Sequence, residues 1–153
     1  MYKLQKQPIY KTLILRTNDA TTNDDRKFFT FNKLRPFYIT TDNATLKVKS
    51  VNIYGAGEDD ASSHNWTIKL GNVEYNNSYY INSDNETLPS IAIFNYDTTK
   101  TGLTSNDPVL HLEKQNINNI VLYITSNDGH GLIKNAKIID LDITLTICEY
   151  PEY

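Results

Sequence analysis

The sequence predicts an all-β antiparallel sandwich, and three observations carry that prediction. The first is composition. Among 153 residues there are 18 Asn, 17 Thr, 16 Ile and 11 Tyr, but only 6 Ala and 6 Gly. Ile, Thr and Tyr suit pleated, half-buried strands, and so little Ala is poor material for the helices of an α/β nucleotide fold. The second is periodicity. Apolar residues recur at period two in segment after segment, and no segment carries a convincing helical stripe. The third is punctuation, with polar turns rich in Asn, Asp, Ser and Thr between the apolar runs.

Taken in order, Lys11 to Arg16 reads as a strand with Leu13 and Leu15 on one side, after a polar start (residues 1–8) that reads as an extended arm. Asn18 to Asp25 is a loop. Lys27 to Phe31 pairs Phe29 with Phe31, and Pro36 to Thr41 pairs Phe37 with Ile39. The next strand slips in phase: Leu46 and Val48 share one parity, Val51 and Ile53 the other. One extra residue near Ser50, a β-bulge, reconciles them. Gly55 to Ser63 is a loop. Asn65 to Leu70 places Trp66, Ile68 and Leu70 on one face, and Gly71-Asn72 suits a hairpin turn with Val73 to Tyr75 returning. Residues 76–90 and 98–108 read as long polar loops. Ile91 to Tyr96 and Asn119 to Thr125 are apolar on both faces and are expected to be covered on two sides. Pro108 to Lys114 is the best short helical candidate. After the turn Asn127-Asp128-Gly129-His130-Gly131, the last strand puts Ile139, Leu141, Ile143, Leu145 and Ile147 on one face and Asp140, Asp142, Thr144, Thr146 and Cys148 on the other. Residues 149–153 read as a flexible tail. Eight to ten strands in one domain spanning 1–153 fit a sandwich, jelly roll or barrel, and alternation alone suits jelly-roll and immunoglobulin-like strand orders equally.

The net charge is −3 and only 3 of the 15 basic residues are Arg. No basic stripe exists, so neither nucleic acid nor an anionic membrane surface is an expected partner. No apolar run is long enough to span a bilayer as a helix. The N-terminus lacks the apolar core of a signal peptide, which leaves the cytoplasm of the producing cell, or a particle made there, as the expected location. The sequons at Asn43, Asn65, Asn76 and Asn85 are what so Asn- and Thr-rich a chain produces by chance.

Catalytic and metal signatures are scarce, and no cofactor is expected. Glu58-Asp59-Asp60 beside Gly57 is the kind of oxygen-rich run calcium uses, but EF-hand spacing is missing and three adjacent carboxylates cannot all reach one ion. The run reads as a solvated acidic loop. His64, His111 and His130 show no ligand spacing, and Cys148 is single, so no zinc site is read from them. There is no nucleophile elbow and no phosphate-binding glycine loop. The feature above background is aromatic. Trp66, Tyr75, Tyr79 and Tyr80 stand among Asn and Ser, a surface-recognition composition. Tyr150 and Tyr153 follow at the C-terminal end. These six residues are the candidate binding or subunit contacts, although Trp66 also shares the core face with Ile68 and Leu70.

The segment Asn118 to Tyr150, NNIVLYITSNDGHGLIKNAKIIDLDITLTICEY, joins a buried strand, a Gly-containing turn and a long final strand. It resembles the closing strands of viral jelly-roll capsid proteins, and the Asn, Ile, Lys and Tyr bias resembles proteins of AT-rich viral genomes. The resemblance implies a jelly-roll-like sandwich. At this length it implies a single roll, as in a minor capsid, penton or decoration protein, and no functional residue is carried over. The leading expectation is therefore a non-enzymatic structural protein of a virion, acting through contacts with its own copies, as trimers or pentamers, and with other virion proteins. The alternative is a carbohydrate- or protein-binding module, with Trp66 and the 75–80 tyrosines stacking on a glycan and Asp59, Asp60 and Asn65 bonding its hydroxyls. A small hydrolase or cupin-like enzyme is the third reading, and it lacks clustered ligands.

Overall fold

A computed structural model describes residues 7–32, 35–61, 65–73, 75–76, 90–97, 100–103 and 109–151. Strands dominate: β1 (Ile9–Arg16), β2 (Thr21–Thr22), β3 (Phe28–Phe31), β4 (Phe37–Ile39), β5 (Ala44–Tyr54), β6 (Asn65–Gly71), β7 (Tyr75–Asn76), β8 (Ser90–Asp97), β9 (Lys100–Leu103), β10 (Leu110–Leu112), β11 (Gln115–Ile117), β12 (Ile120–Ser126), β13 (Ile133–Lys134), β14 (Lys137–Ile138) and β15 (Asp140–Glu149). Among the described residues the only helical pieces are a 3₁₀ turn at Thr17–Asp19 and a single α-turn, α1 (Glu58–Ala61).

All strand pairs are antiparallel. One sheet runs β1-β15-β5-β10-β7 and the other β2-β3-β12-β6-β8-β9. The first strand thus lies beside the last, and the path from β3 to β5, β5 to β6, β10 to β12 and β12 to β15 crosses between sheets each time. An immunoglobulin sandwich, with strands ABED against CFG, has its first and last strands in different sheets. Buried residues of both sheets form one cluster, including Phe29, Phe31, Leu46, Ile68, Phe94, Leu122 and Leu145. The alternation read from the last strand holds: Ile139, Leu141, Ile143, Leu145 and Ile147 are all buried. Each contributes about 2 kcal/mol of apolar burial.

The bulge is present. Thr144 faces Ser50 while Leu145 faces Val48, which leaves Lys49 as the extra residue. Both halves of β5 therefore bury their apolar side chains despite opposite parity.

Other expectations are corrected. Val73 to Tyr75 does not return as a hairpin on β6, because β12 and β8 already occupy both edges of β6. Asn72 turns the chain with a φ of 62°, and β7 pairs instead with β10 in the opposite sheet. The segments 91–96 and 119–125 are not covered on two sides. Ile93 is exposed and Val121, Tyr123 and Thr125 are half-buried, as on a sheet with one solvated face. The loop read at 98–108 contains β9, paired with β8. The short helical candidate is the strand β10. Of the expected tail, Glu149 ends β15 in a buried position and the Tyr150 N–H donates to the Asn43 carbonyl at 2.9 Å, while residues 152–153 lie outside the described residues. Of the expected arm, residues 1–6 lie outside the described residues.

Polar networks close both ends of the sandwich. At one end Arg26, itself at φ 51°, donates through Nη2 to Asp140 Oδ1 (2.7 Å) and to the Ile139 carbonyl (3.1 Å), and through Nε to the Leu132 carbonyl (3.1 Å). Thr17 Oγ1 donates to Asp140 and accepts from the Leu141 N–H, each at 2.8 Å. The chain passes so close here that a Cβ on Gly131 would lie 1.9 Å from the Asp25 carbonyl oxygen. At the other end the β4–β11 ribbon caps the opening.

Candidate functional site

Of the six expected site residues, only Trp66 and Tyr150 have side chains that the structure describes. Trp66 sits on β6 and is only 2% exposed. Its ring stacks on Phe94 with centroids 6.3 Å apart, and its Nε1 donates to the Ala61 carbonyl at 3.3 Å. Its burial follows from parity with Ile68 and Leu70, and it leaves no face for an external sugar. Tyr79, Tyr80 and Tyr153 lie outside the described residues, and of Tyr75 only the backbone, in β7, is described. Tyr150 remains at the surface. Asp60 sits in α1 with Oδ2 3.5 Å from Lys137 Nζ, so part of the acidic run is anchored to the β13–β14 hairpin. Asn65 Oδ1 accepts from Asn95 Nδ2 at 2.8 Å across the strand pair.

Histidine and carboxylate geometry is similarly informative. His111 lies on β10 in the first sheet, while His130 follows β12 of the second, and His64 is outside the described residues. Ser126, Asp128 and His130 gather in one turn. Ser126 Oγ donates to Asp128 and accepts from the His130 backbone N–H at 3.0 Å, and His130 Nε2 lies 3.5 Å from Asp128 Oδ2. A nucleophilic serine must give its proton to the imidazole. Here the hydroxyl is committed to the carboxylate and the backbone, which is how a turn is fixed. Among the described residues no group of three His, Cys, Asp or Glu side chains could hold a metal ion, and no helix is long and apolar enough to cross a membrane.

What the strands do present is a surface. On the outer face of the first sheet, β1, β15 and β5 lie in register, so Tyr10 faces Cys148 and Cys148 faces Thr45, while Ile14 faces Thr144 and Thr144 faces Ser50. Tyr10 is 66% and Ile14 55% exposed, and Val109 and Tyr150 are exposed beside Tyr10. Tyr10, Lys47, Val109, Cys148 and Tyr150 line a depression of about 440 Å³. Cys148, first as a hydrogen-bond partner and then as a neighbouring ionisable group, followed by burial and Tyr10, pushes the Tyr150 phenol above its ordinary value. It therefore stays protonated and neutral at physiological pH. The depression offers apolar and hydroxyl groups together with the ammonium groups of Lys47 and Lys49.

Sequence reasoning gives Tyr150 but misses Tyr10, Ile14 and Val109. The signal was available for two of them. Tyr10 and Ile14 share the parity opposite to Leu13 and Leu15, and an apolar residue on the outward parity of an amphipathic strand marks a surface with a purpose.

It also misses Glu149. This carboxylate is 1% exposed and lies 2.9 Å from Lys11 Nζ. It accepts from the Thr40 backbone N–H at 2.5 Å and from Thr40 Oγ1 at 3.3 Å, and Lys11 also donates to the Tyr38 carbonyl. Burial pushes its pKa up, but the Lys11 ammonium and the Thr40 donors outweigh burial and hold it below the usual value.

No family model, no curated protein and no solved structure matches the chain.

Proposed function

We propose that the chain is a non-enzymatic structural protein that works through subunit contacts, a jelly roll serving as a minor capsid or decoration component of a virus particle. The observation that carries this reading is the outer face of the first sheet, where Tyr10 and Ile14 on β1, with Val109 just before β10 and Tyr150 just after β15, are held in solvent. Clustered apolar exposure of this kind marks interaction surfaces. Aromatic anchors such as Tyr10 and Tyr150 are what the centre of a protein interface uses.

The strand order supports the jelly-roll part. With β1-β15-β5-β10 in one sheet and β3-β12-β6-β8 in the other, eight strands wind as paired Greek keys, the architecture of many capsid domains. The partners are then further copies of this chain and neighbouring proteins of the particle. Light scattering after size exclusion, at two concentrations, tests the reading. A trimer or pentamer independent of concentration is expected, with Ile14→Lys and Tyr10→Lys shifting the mass toward the 17.5 kDa monomer while circular dichroism stays unchanged. A monomer at both concentrations overturns assembly through copies of this chain, leaving only a decoration protein that assembles on its particle, and an oligomer indifferent to both substitutions overturns the assignment of the contacts to this face.

A further inference from the structure

The capped end of the sandwich, remote from the β1 face in its chemistry, carries two adjoining clefts that share Lys114, Gln115 and Asn116. The larger, about 670 Å³, is lined by side-chain amides that include Asn72, Asn118 and Asn119. The smaller, about 470 Å³, adds Tyr38 and Thr40. Among the described residues neither is lined by a carboxylate, and Lys114 is the one cation lining both.

We propose that this end binds a neutral polyhydroxylated ligand, the terminal sugars of a glycan. Three observations converge on that chemistry. A side-chain amide carries two donors and an acceptor, which suits a hydroxyl that must both give and take a hydrogen bond, although Gln115 already spends one donor on the Glu113 carbonyl at 2.9 Å. Asn119 carries an Oδ1 that is buried and has no hydrogen-bond partner among the described residues. Such an oxygen calls for a donor that the described residues do not supply. Tyr38 is 55% exposed and stands directly opposite Asn116 in the ribbon, so a solvent-facing ring lies beside an amide. A ring of this kind packs against the apolar face of a pyranose while the amide bonds its edge.

The backbone keeps this arrangement in place. The Lys114 N–H donates to Asp42 Oδ1 at 2.9 Å, Asn72 is fixed in a left-handed turn, and Lys11 donates to the Tyr38 carbonyl. A divalent cation would require carboxylates, and an anionic group would call for an Arg or a cluster of Lys.

This inference stands apart from the assembly reading, since it uses other residues and another readout. Titrating the protein with chitotriose and with lactose, and following its amide chemical shifts, tests it. Saturable shifts are expected at Tyr38, Asn72 and residues 114–119, with a Kd of about 1 mM for so open a site. Asn116→Ala and Tyr38→Ala are expected to weaken binding by about tenfold or more while leaving the spectra well dispersed. Three results would overturn the proposal: no saturable shift with either sugar, shifts that both variants leave unchanged, or a response to sialylated lactose alone that salt abolishes.

Discussion

At the scale of single residues, Glu149 is the group most worth perturbing. It is a buried carboxylate whose charge is held by one ammonium and by the donors of Thr40. Removing the charge while keeping the shape, with Glu149→Gln, leaves Lys11 facing a neutral amide at the mouth of the core. The expected cost is about 2 kcal/mol, read from urea denaturation at pH 7. The pH dependence has a definite sign. The folded-state pKa lies below the ordinary 4.5, so the pair stabilises the protein above that value and the stabilisation is lost as pH falls through the lower folded-state value. Wild type should lose this increment on acidification and Glu149→Gln should not, so the two denaturation midpoints should converge in acid. Parallel loss in both proteins would mean that Glu149 contributes nothing through its charge. The residue is legible in hindsight. It shares the parity of Ile139 to Ile147, and extending the alternation by one step carries it inside. Its partners are not legible, because Lys11 and Thr40 are brought to it by pairings remote in sequence.

At the scale of elements, the phase slip in β5 was fully readable, because both halves of the evidence lie within one strand. Leu46 and Val48 demand one parity, Val51 and Ile53 the other, and only an extra residue satisfies both. Deleting Lys49 makes the strand regular but turns one pair outward, since a one-residue shift moves every side chain to the opposite face. Exposing two such aliphatic side chains costs about 4 kcal/mol. The deletion variant should therefore show a large drop in thermal midpoint, whereas Lys49→Ala should stay close to wild type because Lys49 is exposed. A deletion variant as stable as wild type would show that the bulge is incidental. Neighbour choice was far less readable. The β7 and β9 segments are two and four residues long, too short for any periodicity, and their partners are set by which sheet edge remains open. The edge formed by β1 shows a different control. Its outer side is unpaired among the described residues, yet Lys11 points inward to Glu149. An inward-facing charge on an edge strand discourages edge-to-edge pairing, so contacts between copies are directed to the face that carries Tyr10 and Ile14.

At the scale of the whole molecule, composition and alternation were enough for the all-β sandwich, but not for its strand order. Each strand's pattern is equally content in either sheet, and order is decided by which crossings the connecting loops allow. The outcome places β15 between β1 and β5, so Ile9 pairs with Glu149. The first sheet therefore cannot close until the last described strand is in place, and contacts this distant in sequence predict slow folding, on the millisecond-to-second scale. The same topology makes β15 the keystone of cooperativity. A chain ending at Ile139 would strip β1 of its only sheet neighbour among the described residues and remove Leu141, Ile143, Leu145 and Ile147 from the core. That loss, about 8 kcal/mol, is comparable with the entire stability of an ordinary domain. The truncated chain is expected to show no cooperative urea transition and no near-ultraviolet dichroism. A cooperative transition would instead mean that the β3-β12-β6-β8 sheet stands without its partner. The single buried cluster argues against that outcome, because the inward side chains of that sheet, Phe29, Ile68 and Leu122 among them, have the first sheet as their cover.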